Sequence, residues 1–266
     1  MTVPWPEVYR PAVPRFSVSQ ITTLGWPFER DVAALVAAGV AGIGVSVQKL
    51  EAYGLTRARH SIRHAGLAVS CLTSSGPFPL GDAAGERAAL ERTLGHLEMA
   101  AALGADCLMV LPGAAAALSW EEAAARVRPL LERLAARAEG LGVRVALGPT
   151  SQLRMDIAFL HGFDEALDLV DDIGSPWLGV VLELNNAWVE RRLYANIHAR
   201  TDRIALVQVS DFKIGTLAAS ERVVNLGYRY TRDNVEQMDA SVAWPVARRW
   251  DVYGRRVYSF RDQHPI

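Results

Sequence analysis

The chain has 266 residues, a formal net charge of −1 and a 50% share of hydrophobic residues. This balance excludes both the strongly basic surface of a nucleic-acid-binding protein and the acidic composition of a disordered tail. No apolar run reaches the roughly 18–20 residues of a membrane span. The proline-rich residues 1–14 also lack the apolar segment of a signal peptide. We therefore expect a cytoplasmic protein with neither nucleic-acid nor membrane partners.

Short apolar segments alternate with long amphipathic ones from residue 15 onward, which predicts strands alternating with helices. The predicted strands are Phe16–Gln20, Gly42–Val47, Ala68–Leu72, Cys107–Leu111, Val143–Leu147, Leu178–Leu182, Ala205–Val209 and Arg256–Phe260. The predicted helices are Phe28–Ala38, Leu55–Ala65, Ala84–Leu103, Trp120–Gly140, Phe163–Asp172 and Glu190–Arg200, followed by a weak pattern over Tyr228–Trp250.

Such alternation predicts an α/β protein with a parallel sheet. A doubly wound sheet would show the same alternation, but eight strands and this length favour a (β/α)8 TIM barrel in a single domain. We assign residues 15–266 to the barrel and residues 1–14 to an N-terminal extension. Residues 215–233 form the longest predicted loop, and the sequence leaves open whether they act as a lid. It also leaves the oligomeric state open, with a homo-oligomer allowed.

The two cysteines, Cys71 and Cys107, both lie in apolar strand segments. We expect two buried free thiols, because nothing else in the sequence indicates an oxidising compartment.

Polar residues follow the predicted strands. In a barrel the catalytic groups lie at the carboxyl ends of the strands, so these residues are expected to meet at one mouth. The candidate substrate-binding residues are Gln20, Gln152, His161, Asn186, Trp188, Gln208, Lys213, Tyr228 and Tyr230. By contrast, His60 and His64 lie on a helix that should pack outside the barrel, where a surface pair is expected.

Several segments resemble the sugar-phosphate isomerase/epimerase family, the xylose-isomerase-like TIM barrels. They are FSVSQITTLGWPFERDVAALVAAGVAGIGV at strand one, CLMVLPG at strand four, GVRVALGP at strand five, EALDLVDDIGSPWLGVVLELNNAW through strand six and IALVQVSDF at strand seven. The resemblance covers about residues 16–260 and implies a metal-dependent isomerase or epimerase of small sugars.

This chain departs from the family at the metal site that the resemblance implies. The family pattern ALEP reads ALGP, which puts Gly148 at the first ligand position. The pattern VVDTYH reads VLELNN, with Glu183 for the aspartate, and EVEIF reads RVYSF, with Tyr258 for the last ligand. Gln208 is retained on strand seven. Because a divalent ion generally takes about three good oxygen or nitrogen ligands, we predict no metal and no other cofactor.

Proton transfer next to a carbonyl can proceed without a metal if a base and an oxyanion donor are present. Glu183 is the candidate base, with Asp211 and Tyr258 as acid or oxyanion partners. An ion pair between Glu183 and Arg154 is the structural alternative. We predict a metal-independent isomerase, epimerase or lyase acting on a small organic substrate. A metal-dependent isomerase and a non-catalytic ligand-binding barrel remain as alternatives.

Overall fold

The computed structural model describes residues 16–210, and seven parallel strands form one sheet within that range in the order β1 to β7. The strands are β1 (Ser17–Ser19), β2 (Gly42–Ser46), β3 (Ala68–Ser75), β4 (Cys107–Val110), β5 (Arg144–Leu147), β6 (Leu178–Glu183) and β7 (Ile204–Gln208). The first seven predicted strands are confirmed. The predicted eighth strand, the loop 215–233 and the extension 1–14 lie outside the described residues.

The helices follow the strands in alternation, as a TIM barrel requires. They are α1 (Phe28–Ala37), α2 (Val47–Tyr53), α3 (Leu55–His64), α4 (Ala83–Leu103), α5 (Trp120–Leu141), α6 (Phe163–Ile173), α7 (Leu184–Ala187) and α8 (Leu193–Ala199). Two of them, α2 and α7, were not predicted. Each begins directly after its strand, without an intervening turn residue that would mark it in the sequence.

Capping residues explain where the two longest helices begin. The Asp82 side chain accepts a hydrogen bond from the Ala84 amide at the start of α4. At the start of α5, the Ser119 hydroxyl accepts from the Glu122 amide while the Glu122 carboxylate accepts from the Ser119 amide. These bonds satisfy amides that the helix itself leaves without a partner.

Two apolar clusters lie on opposite faces of the sheet. The larger one packs the helices against the outer face of the strands. The smaller one lies on the inner face and consists of Cys71, Cys107, Met109, Leu111, Ala146 and Val181. Both cysteines are buried and free, as predicted.

Arg144 shows how far the sheet curls. Its side chain starts on β5 and is 4% exposed, yet its guanidinium donates to the carbonyls of Asp202 (2.8 Å) and Ile204 (3.2 Å) at the start of β7. The Arg144 side chain therefore crosses β6, and it passes over Gly179. A Cβ atom at Gly179 would lie 2.6 Å from both Arg144 Cζ and the Arg203 carbonyl oxygen. Glycine is required there because an arginine passes directly above it.

We expect Gly179→Ala to lower the free energy of unfolding by about 1–3 kcal/mol, because the added methyl group overpacks a buried site and meets backbone as well as side chain. Urea denaturation measures this change. Gly95→Ala in α4 is the matched control, since a Cβ there meets no atom within 4 Å. That control should be stabilised by about 0.5–1 kcal/mol through helix propensity. Equal effects of the two substitutions would contradict the assigned role of Gly179.

A buried polar network joins the ends of β1 and β2 to α1. Lys49 and Asp31 form an ion pair at 2.6 Å, with side chains only 8% and 2% exposed. Gln20 donates to the same Asp31 oxygen at 2.8 Å and accepts from the Ser46 amide at 3.0 Å. The Lys49 ammonium also donates to the Thr23 carbonyl. The network fixes the first two strand ends relative to each other.

Across residues 16–210, every helix is too short or too polar to cross a bilayer.

Candidate functional site

Glu183 and Gln208 are the last residues of neighbouring strands β6 and β7, and they are direct partners in the parallel register. Neighbouring strands lie about 4.8 Å apart, so the two side chains leave the sheet side by side at its carboxyl edge. Glu183 is half-buried and begins α7, where its carboxylate accepts from the Asn185 amide at 3.4 Å. The predicted base Glu183 and the predicted substrate-binding residue Gln208 therefore lie side by side.

The surroundings of Glu183 favour its neutral form. Burial raises the pKa of the Glu183 carboxyl above its usual range, while hydrogen bonds from Ser210 and the Asn185 amide lower it by less. The Ser210 hydroxyl donates to the carboxylate at 2.7 Å. Arg154, the ion-pair partner in the structural alternative for Glu183, instead forms a two-pronged pair with Asp156 at 2.9 and 3.0 Å. A carboxyl group poised in this way suits general acid–base chemistry.

The floor beneath Glu183 is apolar. Gly148 follows β5, and a Cβ atom there would lie 2.7 Å from the Met109 methyl group and 3.6 Å from a Leu111 methyl group. Met109 thus fills the space into which a side chain at position 148 would project. Its sulfur accepts a weak hydrogen bond from the Gln208 amide nitrogen at 3.7 Å.

The described residues do not fit the metal centre that the family resemblance implies. Position 148 offers no side chain, and Met109 occupies the neighbouring space. Glu183 and Gln208 remain as two oxygen donors, fewer than the roughly three that a catalytic divalent ion generally takes. Between residues 16 and 210, no group of three or more His, Cys, Asp or Glu side chains is placed to hold an ion.

The loop after β5 carries the next two candidates. His161 is half-buried, and its Nδ1 lies 3.1 Å from the Thr150 carbonyl oxygen. Since a carbonyl only accepts, Nδ1 carries the hydrogen and Nε2 is the acceptor of the neutral ring. Gln152 is exposed at the start of a single helical turn. Both residues therefore lie in a loop that leaves the mouth end of the sheet.

The other described candidates differ in how available their side chains are. Asn186 is half-buried in α7, and Trp188, which follows that helix, is 50% exposed. Gln20 is 1% exposed, and both ends of its amide are engaged by the protein. Its observed role is to hold the ends of β1 and β2. The remaining candidates, Asp211, Lys213, Tyr228, Tyr230 and Tyr258, lie outside the described residues.

Two residues of this site were missed by the sequence interpretation. Ser210 lies two positions after β7, where side chains of parallel strands converge, and that spacing could have identified it. No sequence pattern identifies Met109, because it fills the space beside Gly148 only in one orientation of its flexible side chain.

Known structures share this architecture. The protein SMc04130 from Sinorhizobium meliloti is 24% identical, with a TM-score of 0.70 over 83% of this chain and 85% of that one. A D-psicose 3-epimerase, solved in the presence of D-fructose, is 17% identical, with a TM-score of 0.62 over 82% of each chain. At these identities the likeness shows the fold.

A second kind of match is short. The LPS-assembly protein LptD of Nitrosomonas europaea is 43% identical over 44 residues, which are 16% of this chain. The chain spans only about 6% of the length of that protein. A match of this extent does not assign the chain to the LptD family.

The sequence profile of the xylose isomerase-like TIM barrels, in contrast, matches residues 32–236. That range covers most of the chain and includes β2 to β7 together with Glu183 and Gln208. The chain therefore belongs to the xylose isomerase-like TIM barrel family.

Proposed function

We propose that this protein is an isomerase or epimerase that moves a proton next to a carbonyl of a small organic substrate without a bound metal. The observation that carries the proposal is Glu183. It is a half-buried carboxyl at the strand ends whose pKa is raised by burial, beside Gln208 and above an apolar floor. A lyase would begin with the same proton abstraction, followed by loss of a leaving group from the neighbouring carbon.

In the proposed reaction, the Glu183 carboxylate takes a proton from the carbon next to the carbonyl. The electrons of the C–H bond form the enolate, and the negative charge collects on the carbonyl oxygen. A hydrogen-bond donor must stabilise that oxygen. The Gln208 amide is a candidate, because within residues 16–210 its nitrogen donates only to the weakly accepting sulfur of Met109. Protonation of the same carbon from the opposite face, by a second acid or by water, gives an epimer and leaves the abstracted proton on Glu183 for release to solvent. Where that carbon carries a hydroxyl, transfer of the hydroxyl proton to the enolate oxygen and return of the Glu183 proton to the former carbonyl carbon give an isomer.

The family supports the class of reaction, since a structural neighbour is an epimerase by name. The side chains at the strand ends support a reaction without a metal. Glu183 and Gln208 are too few to hold a divalent ion, and Met109 fills the space beside Gly148. Two buried free thiols support a reducing compartment, and we propose a cytoplasmic location on that basis.

The test is hydrogen exchange on a substrate panel. The protein is stripped with a chelator, checked for metal by elemental analysis and incubated in D2O with hydroxyketones, aldoses, ketoses and 2-oxo acids. Proton NMR then follows loss of the C–H signal next to the carbonyl. We expect exchange on at least one class by the stripped protein. Exchange only after manganese, cobalt or zinc is restored would replace this proposal with a metal-dependent isomerase. Binding without exchange under either condition would indicate a ligand-binding barrel.

Ser210→Ala should shift the pH dependence of this exchange. The Ser210 hydroxyl lowers the pKa of Glu183, so its removal raises that pKa further. A base must be deprotonated to act, so the rising limb of the pH–rate profile should move to higher pH. The maximal rate at high pH should change less. If the rising limb of the pH–rate profile lies at the same pH in Ser210→Ala and in the wild type, Glu183 is not the group whose titration controls the rate.

A further inference from the structure

The exposed face of α3 carries a stripe of four basic residues and one threonine. The stripe consists of Thr56, Arg59, His60, Arg63 and His64, which follow the spacing i, i+3, i+4, i+7 and i+8. All five residues are exposed, and together they line a shallow open groove. The opposite face of the helix packs into the core through buried Ala58 and Ile62. The helix is thus anchored on one side and presents cationic groups on the other.

The two arginines of the stripe lack acidic partners. Residues 54–67 contain no Asp or Glu. Within residues 16–210, neither Arg59 nor Arg63 forms an ion pair or hydrogen bond with a carboxylate. Arginines on other helices do so: Arg128 pairs with Asp172 at 2.9 Å and Arg137 with Glu98 at 2.7 Å. The stripe is therefore a concentration of positive charge that the described part of the protein does not neutralise.

The geometry of the stripe suits an anion with several phosphate groups. Arg59 and Arg63 are one helical turn apart, about 6 Å along the axis, and each guanidinium can hold a phosphate with two parallel hydrogen bonds. The rings of His60 and His64 are stacked nearly parallel, with centroids 6.1 Å apart, so their ring nitrogens can donate beside the arginines. The Thr56 hydroxyl adds a donor at the amino-terminal end.

We propose that this stripe binds a small molecule carrying two or more phosphate groups, on the outside of the barrel and apart from the Glu183 site. The proposal does not depend on the reaction at Glu183. A transition metal is a poorer occupant, because two histidines fall short of the usual ligand number and the arginines repel a cation.

The test is isothermal titration of the full chain with inorganic tripolyphosphate at low salt. We expect saturable binding to the wild type, weaker binding of orthophosphate and a fall in affinity with rising salt. Arg59→Ala with Arg63→Ala should weaken tripolyphosphate binding by at least about tenfold, since two charge-assisted contacts are lost.

A charge-matched control separates this site from the effect of net charge. Arg128→Ala with Arg137→Ala removes the same two charges from a different helix, α5, where these arginines pair with Asp172 and Glu98. We expect that variant to bind within about twofold of the wild type, and thermal melting confirms that both variants are folded. Equal losses in the two double variants, no loss at Arg59 and Arg63, or no binding by the wild type would overturn the proposal.

Discussion

Replacing Glu183 with Gln is expected to slow solvent-hydrogen exchange on the substrate by at least about 100-fold, the contribution typical of a positioned general base. The amide keeps the shape of the side chain and can still occupy the position beside Ser210 and Asn185. It cannot take a proton from carbon. Substrate affinity, measured by titration in the same buffer, should change by less than about fivefold, because the loss affects the transition state more than the ground state.

Glu190→Gln is the matched control for that experiment. Glu190 is also half-buried, and burial raises the pKa of its carboxyl. Its oxygens accept hydrogen bonds from the Phe163 and Asp164 amides at the start of α6, whereas Glu183 accepts from Ser210 and the Asn185 amide. Exchange should therefore continue in Glu190→Gln. If both variants lose exchange equally, or Glu183→Gln retains it, then Glu183 is not the base.

Lys49→Met is expected to cost about 3–5 kcal/mol of unfolding free energy, the range for a buried ion pair that loses one partner. Burial raises the pKa of Asp31, and the hydrogen bond and charge of Lys49 lower it. Without Lys49 that pKa rises further. An acid whose pKa is higher in the folded state than in the unfolded state destabilises the fold as pH rises through that interval. The loss of unfolding free energy in Lys49→Met, relative to the wild type, should therefore be larger at pH 7 than at pH 4 in urea titrations.

The double variant with Asp31→Asn tests this explanation. It removes the unpaired charge, so it should recover part of the lost stability at pH 7 and lose the pH dependence. A double variant as unstable as Lys49→Met at both pH values would assign the loss to the packing of the lysine chain.

The sequence predicted the alternation of the fold well because buried parallel strands are short and apolar while the helices show a clear period. Most strand and helix ends fall within one or two residues of the prediction. There are two exceptions: α8 begins at Leu193, three residues after the predicted Glu190, and β3 continues to Ser75 through the polar residues that follow its apolar run. Apolar patterning marks burial, whereas the strand is defined by backbone pairing, and the two end at different residues.

The site was predicted less completely, for reasons that differ among its residues. Glu183 and Gln208 meet because parallel strands end at one edge, and position along the chain is enough to predict that. Gln20 shares that position, but its side chain turns to Asp31 and the Ser46 amide. The sequence also revealed the missing side chain at Gly148. It could not reveal that Met109 fills the space, since this depends on tertiary packing.

The buried position of Lys49 has a practical consequence for chemical labelling. The chain contains only two lysines, Lys49 and Lys213. In the folded protein, the Lys49 amine is held by Asp31 and the Thr23 carbonyl and is shielded from reagents in solution. Amine-directed reagents should modify Lys49 only when the region joining β1, β2 and α1 opens. The acylation rate of this single side chain, followed by mass spectrometry, therefore measures how often the structure opens locally at one end of the barrel.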